Sequence, residues 1–283
     1  MNILITLYPH SIMYAKTMLF SFFYNNPGTH NVFIFHSRLT CRETADIISF
    51  IKKKNSRVNV LEIESDYFDD APLYRGCTKE IYYRLLAIIK IPEDIKRILY
   101  LDIDIIVNNS LSDFYSTEFG QCYFIACEDS NHSQKNDELY EILNIPRGEK
   151  YFNSGVLLFN LDLLRKDNQF EAILSFMHGS WKKNNKWFHD QNVLNAMYYD
   201  KVVYKDYFLY NCLIKNVSGD KKEFCLNKSS IFHFAGIKPW DYQYPSGCYK
   251  IWWGYAIKAG YFLNYMAFIF RKRFYILKNK SFL

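Results

Sequence analysis

The sequence is poor in the residues that interrupt structure. Among 283 residues there are 11 glycines and 7 prolines, against 24 tyrosines and 24 phenylalanines. A chain this aromatic, and 49% hydrophobic, is not disordered, collagen-like or of low complexity. It has the length for one domain, or one domain with an appendage. Cysteine is present but unpatterned: the seven, at 41, 77, 122, 127, 212, 225 and 248, are odd in number and form no C-x-x-C pair. That disfavours zinc ribbons and a disulfide framework, and predicts a reduced, cytoplasmic protein. The opening MNILITLYPH lacks a basic stretch ahead of its apolar run, so it reads as a first strand and not a signal peptide. Acidic residues are missing from 250–283, which hold seven Lys or Arg. The whole-chain charge of +6 is therefore a property of that segment, because the remainder carries 28 basic against 29 acidic residues. A basic nucleic-acid-binding surface spread over the fold is not expected.

What is present alternates between two periodicities. Asn2–Leu7 is a strand-length apolar run, and residues 11–25 place Ile12, Met13, Met18, Leu19, Phe22 and Phe23 at helical spacing before Asn26-Pro27-Gly28. Val32–His36 is a second strand. Thr40-x-x-Glu43 is a capping box opening a helix to about Lys54, and Val58–Ile63 is a third strand. The β-α-β-α-β order predicts a parallel sheet with helices on both faces, binding ligands beyond the carboxyl ends of its strands. Further on, Lys79–Lys90 is predicted helical and Arg97–Leu101 a buried strand. Residues 128–151 read as a polar excursion, Gly155–Leu161 as another buried strand, and a helix starts near Asp190.

The strand at Arg97–Leu101 runs into Asp102-Ile103-Asp104. Side-chain period two puts both carboxylates on one side of a pleat, where like charges repel unless a cation sits between them. Hard oxygen ligands favour Mg²⁺ or Mn²⁺ bridging to phosphate. The pattern is short and fits a solvated strand end equally well. As chemistry it fits nucleotide-sugar transfer, or a phosphatase resembling the haloacid dehalogenases. The phosphatase expects its acids near the start of the fold and a second acidic cluster downstream; here Ser218-Gly219-Asp220 is the faint candidate.

Four further segments accompany the acids: Arg84 in IYYRLLAIIK, the run Tyr151–Asn160 (YFNSGVLLFN), Asp190-Gln191, and His233–Trp240 (HFAGIKPW). Together, over about residues 1–240, they resemble the family 8 glycosyltransferases, which include glycogenin and bacterial lipooligosaccharide galactosyltransferases. The resemblance implies an α/β, GT-A, Rossmann-like domain with a mostly parallel central sheet over 1–249, followed by a basic, aromatic helical tail over 250–283.

It also implies roles. Asp102, Asp104 and His233 would hold Mn²⁺ (or Mg²⁺) on the diphosphate of a UDP-hexose. Thr6, Leu7, Tyr8, Arg84, Ile103, Asn153, Ser154, Gly236 and Lys238 would bind the donor, with Gly236 admitting the diphosphate and Lys238 charging it. Asp129 would contact the donor sugar or acceptor. Asp190 would take sugar hydroxyls, with Gln191 close to the anomeric carbon. Relatives often carry two residues between that Gly and Lys, where this chain has Ile237 alone, and an Asp near the position of Tyr8. Transfer in the family retains anomeric configuration. Double displacement needs a carboxylate nucleophile, so a Gln favours same-face substitution. Eleven aromatics in 250–283 with Arg271-Lys272-Arg273 predict an interfacial helix on anionic lipid. Its longest uncharged run, Ala259–Phe270, falls short of the ~20 apolar residues of a membrane span. The sequence-level reading is a transferase acting on lipopolysaccharide, capsular or other surface glycan from the inner face of the cell membrane. A catalytically silent, lipid-bound scaffold with a transferase fold is the alternative from another class.

Overall fold

The computed structural model describes residues 1–283 apart from 65–66, 74–77, 130–136, 185–188, 246 and 281–283. The chain divides into two compact units. The first comprises 1–9, 29–102 and 112–207; the second comprises 10–28, 103–111 and 208–283.

The first unit is α/β. Its sheet contains β1 (Asn2–Leu7), β2 (Asn31–His36), β3 (Arg57–Glu62), β4 (Arg97–Leu101), β6 (Phe124–Glu128), β7 (Phe152–Asn160) and β8 (Val202–Lys205), in the order β3-β2-β1-β4-β7-β6-β8. The pairings of β1 with β2 and β4, of β2 with β3, and of β6 with β8 are parallel. The sheet is thus mostly parallel, as predicted, and β7 is the exception, antiparallel to both β4 and β6. Strands buried on both faces read as continuous apolar runs, which is why β1, β4 and β7 were visible in the sequence. β3 alternates and is largely exposed, as an edge strand should be. The helix at Cys41–Lys52 opens on the predicted capping box, with the Thr40 hydroxyl accepting from Glu43 N–H and the Glu43 carboxylate accepting from Thr40 N–H.

Three expectations are revised. Lys79–Lys90 is mainly a 3₁₀ helix (Lys79–Leu86), becoming α-helical over Ala87–Lys90. Its side chains are anchored individually, Tyr82 to the Pro72 carbonyl and Arg84 to Ile81 and Ser154, and the tighter winding follows that anchoring. β7 starts at Phe152, so the polar Asn153-Ser154 lies inside the strand and not ahead of it. Of the excursion at 128–151, residues 130–136 lie outside the described residues. Asp137–Leu143 is a helix whose Leu139, Tyr140 and Leu143 are buried in the core.

The second unit pairs β5 (Ile105–Val107) antiparallel with β9 (Ile231–His233). Its core gathers Ile106, Phe232, Phe234, Trp252 and Trp253, with Tyr14 from the Ile12–Asn25 helix stacked on Trp240 at 3.8 Å. The predicted tail forms two helices, Tyr249–Lys258 and Phe262–Lys280, separated at Gly260, whose φ of +102° suits glycine. Trp252 and Trp253 are core residues of this unit and not part of an exposed lipid-facing surface. Beyond Gly260, Leu263, Phe270 and Leu277 are 79%, 74% and 68% exposed. No helix among the described residues is long and apolar enough to cross a membrane.

One contact secures the approach to β4. The Arg165 guanidinium donates to the carbonyls of Ile88 (2.7 Å), Ile91 (2.6 Å) and Ile95 (3.1 Å), capping the turn that feeds the strand. Arg165→Met leaves these acceptors without their charged donor and is expected to cost about 2–3 kcal/mol, read as a lower urea midpoint at unchanged slope.

Candidate functional site

In the first unit, the sequence-predicted residues converge at the carboxyl ends of β1 and β4 and the start of β7. β1 lies at the point where strand order reverses, between β2 and β4, and such switch points are where open α/β sheets bind ligands. Thr6 is buried and its hydroxyl lies 3.2 Å from that of Tyr100. Leu7 is fully buried, so only its backbone is offered to a ligand, and Tyr8 is half-buried.

Arg84 is the hub. Only 4% exposed, it stacks over the Tyr100 ring at 4.2 Å and reaches Asp102 Oδ1 at 3.3 Å and Asp190 Oδ2 at 3.2 Å. It also donates to the Ser154 carbonyl at 2.5 Å and hydroxyl at 3.1 Å. Burial pushes the Asp190 carboxyl up, but Arg84 and then His189 outweigh it and hold the group below its ordinary value. Burial raises the Tyr100 hydroxyl far above its usual range, so it stays protonated and donates to Asp102 Oδ1 at 2.6 Å.

Gln191 is fixed as firmly. Its Oε1 accepts from Ser154 N–H at 3.0 Å and Asn153 Nδ2 at 3.3 Å; its Nε2 donates to Asp129 Oδ2 and to the Tyr151 hydroxyl, both at 3.2 Å. Asn153 Nδ2 also donates to Asp129 Oδ2. A register shift in β6 between Ala126 and Cys127 sets the strand end opposite Asn153 and Phe152, just before Asp129.

The acidic pair does not sit on a pleat. β4 stops at Leu101, whose successor Asp102 donates its N–H to the Gly155 carbonyl, and β5 starts at Ile105, so 102–104 is a turn. Chain direction changes there because β5 leaves β4's sheet to pair with β9.

Ile103 and Asp104 belong to the second unit and are buried there. Asp104 Oδ2 accepts from Lys238 Nζ, while Oδ1 lies 3.3 Å from His233 Nε2. His233 Nδ1 is 2.7 Å from Asn211 Oδ1, a contact that orients the ring. Asp104 Oδ1 is buried, and the imidazole nitrogen faces it across 3.3 Å, a pair of potential metal ligands. Burial raises the Asp104 carboxyl, but Lys238 and His233 overcome it and hold the group well below the carboxylate range. Oxygen and imidazole donors of this kind suit Mn²⁺ or Mg²⁺. Gly236, with φ +85°, is exposed on the following loop.

The "Glycosyl transferase family 8" model matches residues 2–244. The chain belongs to glycosyltransferase family 8. It is 26% identical over 203 residues to a putative glycosyltransferase of Haemophilus influenzae, covering 71% of this chain and 60% of that protein. It is 30% identical over 146 residues to general stress protein A of Bacillus subtilis, covering 51% and 49%. It is also 28% identical over 247 residues to an Escherichia coli lipopolysaccharide 1,2-glucosyltransferase, covering 83% and 69%. The chain thus spans between half and three fifths of the first two relatives' length. Among solved structures, an active-site variant of LgtC superposes with a TM-score of 0.78 at 21% identity, covering 91% of this chain and 96% of that one. The galactosyltransferase LgtC with donor and acceptor sugar analogues gives 0.77 at 20%. The fold is therefore GT-A, and family membership takes the place of the phosphatase alternative.

Several residues of this arrangement had no assigned role in the sequence reading. Tyr100 precedes Asp102 by two positions and was hidden within an apolar strand. Tyr151 donates to Asn192 Oδ1, and Asn195 bonds both backbone groups of Phe152. Asn192 and Asn195 are buried asparagines, and Asn195 lies one helical turn from Gln191, a signal that helix periodicity could have flagged.

Arg84→Met leaves Asp102 and Asp190 without their guanidinium. Removing one partner of a buried ion pair is expected to cost about 3–5 kcal/mol, measured by denaturant unfolding at pH 7. Because Asp190 titrates below its unfolded value in the native chain, its contribution is present above that value and is lost as pH falls through the native one. In the variant that acid-side loss should begin at higher pH.

Proposed function

We propose that this chain is a metal-dependent, retaining hexosyltransferase that takes galactose or glucose from a UDP-sugar and extends a lipopolysaccharide, capsular or other cell-surface glycan. The observation that carries the reading is the buried pairing of Asp104 Oδ1 with His233 Nε2 at 3.3 Å. Asp102, Asp104 and His233 are the residues that would hold the divalent ion. When bound, that ion supplies Lewis-acid charge to the departing diphosphate.

The remaining roles fall to the chain's own side chains. Lys238 shares positive charge with the leaving phosphates, and Arg84 fixes Asp190 and Ser154 so that sugar hydroxyls meet prepositioned acceptors. Gln191, held through both amide atoms, lies against the reacting carbon as a neutral dipole. An amide is a poor nucleophile. Asp129 accepts from Asn153 and Gln191, and Asp190 is bound by Arg84, so neither carboxylate is set up to form a glycosyl-enzyme bond. Same-face substitution follows, with the acceptor hydroxyl losing its proton toward the leaving diphosphate.

Of residues 250–283, the exposed part beyond Gly260 is proposed to hold the enzyme on the cytoplasmic face of the membrane, while Trp252 and Trp253 stay in the core of the second unit. The exposed Leu263, Phe270, Phe274 and Leu277 share one helix with Arg271, Arg273 and Lys278, and no acid interrupts them. Phe270→Ser with Phe274→Ser should reduce flotation with anionic vesicles several-fold while leaving transfer to a soluble acceptor unchanged. Equal flotation would remove the anchor.

A UDP-sugar panel measured by calorimetry with Mn²⁺ tests the donor. One hexose nucleotide should bind, and Asp104→Ala should abolish metal-dependent binding. The product from an α-linked donor should be α-linked, as read by the anomeric coupling constant. A β-linked product overturns retention, and binding without any turnover favours the silent scaffold.

A further inference from the structure

The second unit holds a cavity of about 250 Å³ that is lined by none of the residues assigned to the donor. Its walls bring together Tyr14 from the Ile12–Asn25 helix, Trp240 and Tyr242 from the segment after Lys238, and one face of the Phe262–Lys280 helix. Trp253 and Phe268, both buried, line it on the core side. Tyr14 and Trp240 stand as a half-buried stacked pair and Tyr242 is 38% exposed, so the outward ring surface is theirs. Lys272 pins this wall to the helix by donating to the carbonyls of Tyr242 (3.0 Å) and Tyr244 (2.8 Å).

Asn264, Ala267, Phe268 and Arg271 line the cavity at the i, i+3, i+4 and i+7 spacing of a single helix face. Among the described residues, no hydrogen bond or ion pair engages the side chains of Tyr14, Asn264 or Arg271. Arg271 only donates, while the Tyr14 hydroxyl and the Asn264 amide can each donate or accept. Burial raises the Tyr14 hydroxyl above its ordinary value and keeps it protonated. Among the described residues no carboxylate lines the cavity. Asp241, between Trp240 and Tyr242 in the chain, accepts from Gln243 N–H.

This combination selects a ligand. Aromatic walls alone would suit an ammonium group, but a guanidinium without an opposing acid repels a cation and gives an anion its partner. Hydroxyl and amide groups beside the rings meet a molecule whose edge is polar and whose faces are not, as in a pyranose. The volume is below the ~300–1,000 Å³ of drug-sized sites, so it takes one ring and not an oligosaccharide. The exposed Phe270 and Phe274 lie outside this cavity, which separates it from the surface assigned to the membrane.

We propose that the cavity is a second glycan site that binds one anionic sugar unit, a uronic acid or a phosphorylated hexose, with its ring against Tyr14, Trp240 and Tyr242 and its charge on Arg271. Its use is to hold the acceptor and so raise the effective concentration of the end being extended. That use rests on the reading that the chain extends a surface glycan, whereas the binding does not depend on transfer.

The test is fluorine NMR of the full chain labelled with fluorotryptophan, with Trp240 and Trp253 assigned by substitution to Phe. Methyl glucuronide and glucose-6-phosphate should each shift the Trp240 resonance and leave that of Trp181, in the first unit, unmoved. Methyl glucoside, a ring without charge, and inorganic phosphate, a charge without a ring, should bind about tenfold more weakly or worse. Arg271→Gln should bring both anionic sugars down to the level of methyl glucoside, and Arg271→Lys should keep most of the difference. Ala267→Phe, which fills the cavity from an exposed helix position, should abolish the shifts. Thermal melts establish that each variant is folded, and UDP binding with Mn²⁺ should be unchanged in all three. Phosphate binding as tightly as glucose-6-phosphate makes this an anion site, and displacement of the sugars by sugar-free anionic vesicles makes it a lipid-headgroup site. Methyl glucoside binding as tightly as the glucuronide removes the role of Arg271. Each of these overturns the proposal. A native chain that binds the anionic sugars but no UDP-sugar overturns the transferase reading and leaves the sugar site. One that binds a UDP-sugar without any Trp240 shift from the anionic sugars overturns the site alone.

Discussion

A guanidinium with 4% exposure cannot be left without anions, and the first unit's site is organised around that requirement. Arg84 is charged at any accessible pH, and its burial is sustained by Asp102, Asp190, the Ser154 carbonyl and the face of Tyr100, among other partners. Each partner comes from a different element: the turn after β4, the helix Asp190–Tyr198, the third residue of β7, and β4 itself. One cation thus fixes the relative positions of three segments that are distant in sequence: β4 with its following turn, β7 and the helix at Asp190. The 3₁₀ winding of Lys79–Leu86 serves the same end, since the helix must present a single arginine inward while Tyr82 and Leu86 pack into the core on either side.

A second layer of constraint is built from neutral amides. Asn153, Gln191 and Asn195 tie β7 to the helix that begins at Asp190, and they do so with both donor and acceptor atoms engaged. Carboxylates in these places would add repulsion to Asp129 and Asp190, and apolar residues would strand the polar backbone at the β7 entrance. Amides avoid both costs, which explains why so polar a cluster is tolerated while buried. Networks of this kind are rigid, and they hold β7 and the helix at one spacing.

The βαβαβ half of the sheet was legible because parallel strands buried on two faces leave long apolar runs, and because caps such as Thr40–Glu43 act within four residues. The direction of β7 was not legible: GVLLFN reads the same whether its neighbours run with it or against it, and only the register with β4 decides. Asp102 and Asp104 were found by type but misplaced on a pleat. The chain breaks off β4 to pair Ile105–Val107 with a strand more than a hundred residues later, and local pattern carries no trace of that. His233 was identified by its motif, whereas Asn211, whose side chain lies 2.7 Å from its Nδ1, is in a segment with no distinguishing composition. Motifs marked the clustered residues themselves. The partners that orient them were invisible because each is chosen by a long-range contact.

The charges divide between the two units in a way that composition could not reveal. In the first, Arg84 stands against Asp102, Asp129 and Asp190, an excess of acid surrounded by amides and hydroxyls. In the second, Asp104 is opposed by Lys238. The acceptor-rich set of the first unit suits hydroxyl donors. Which hydroxyls it would accept is a matter of geometry within that set, because reversing one hydroxyl's orientation changes no charge at all.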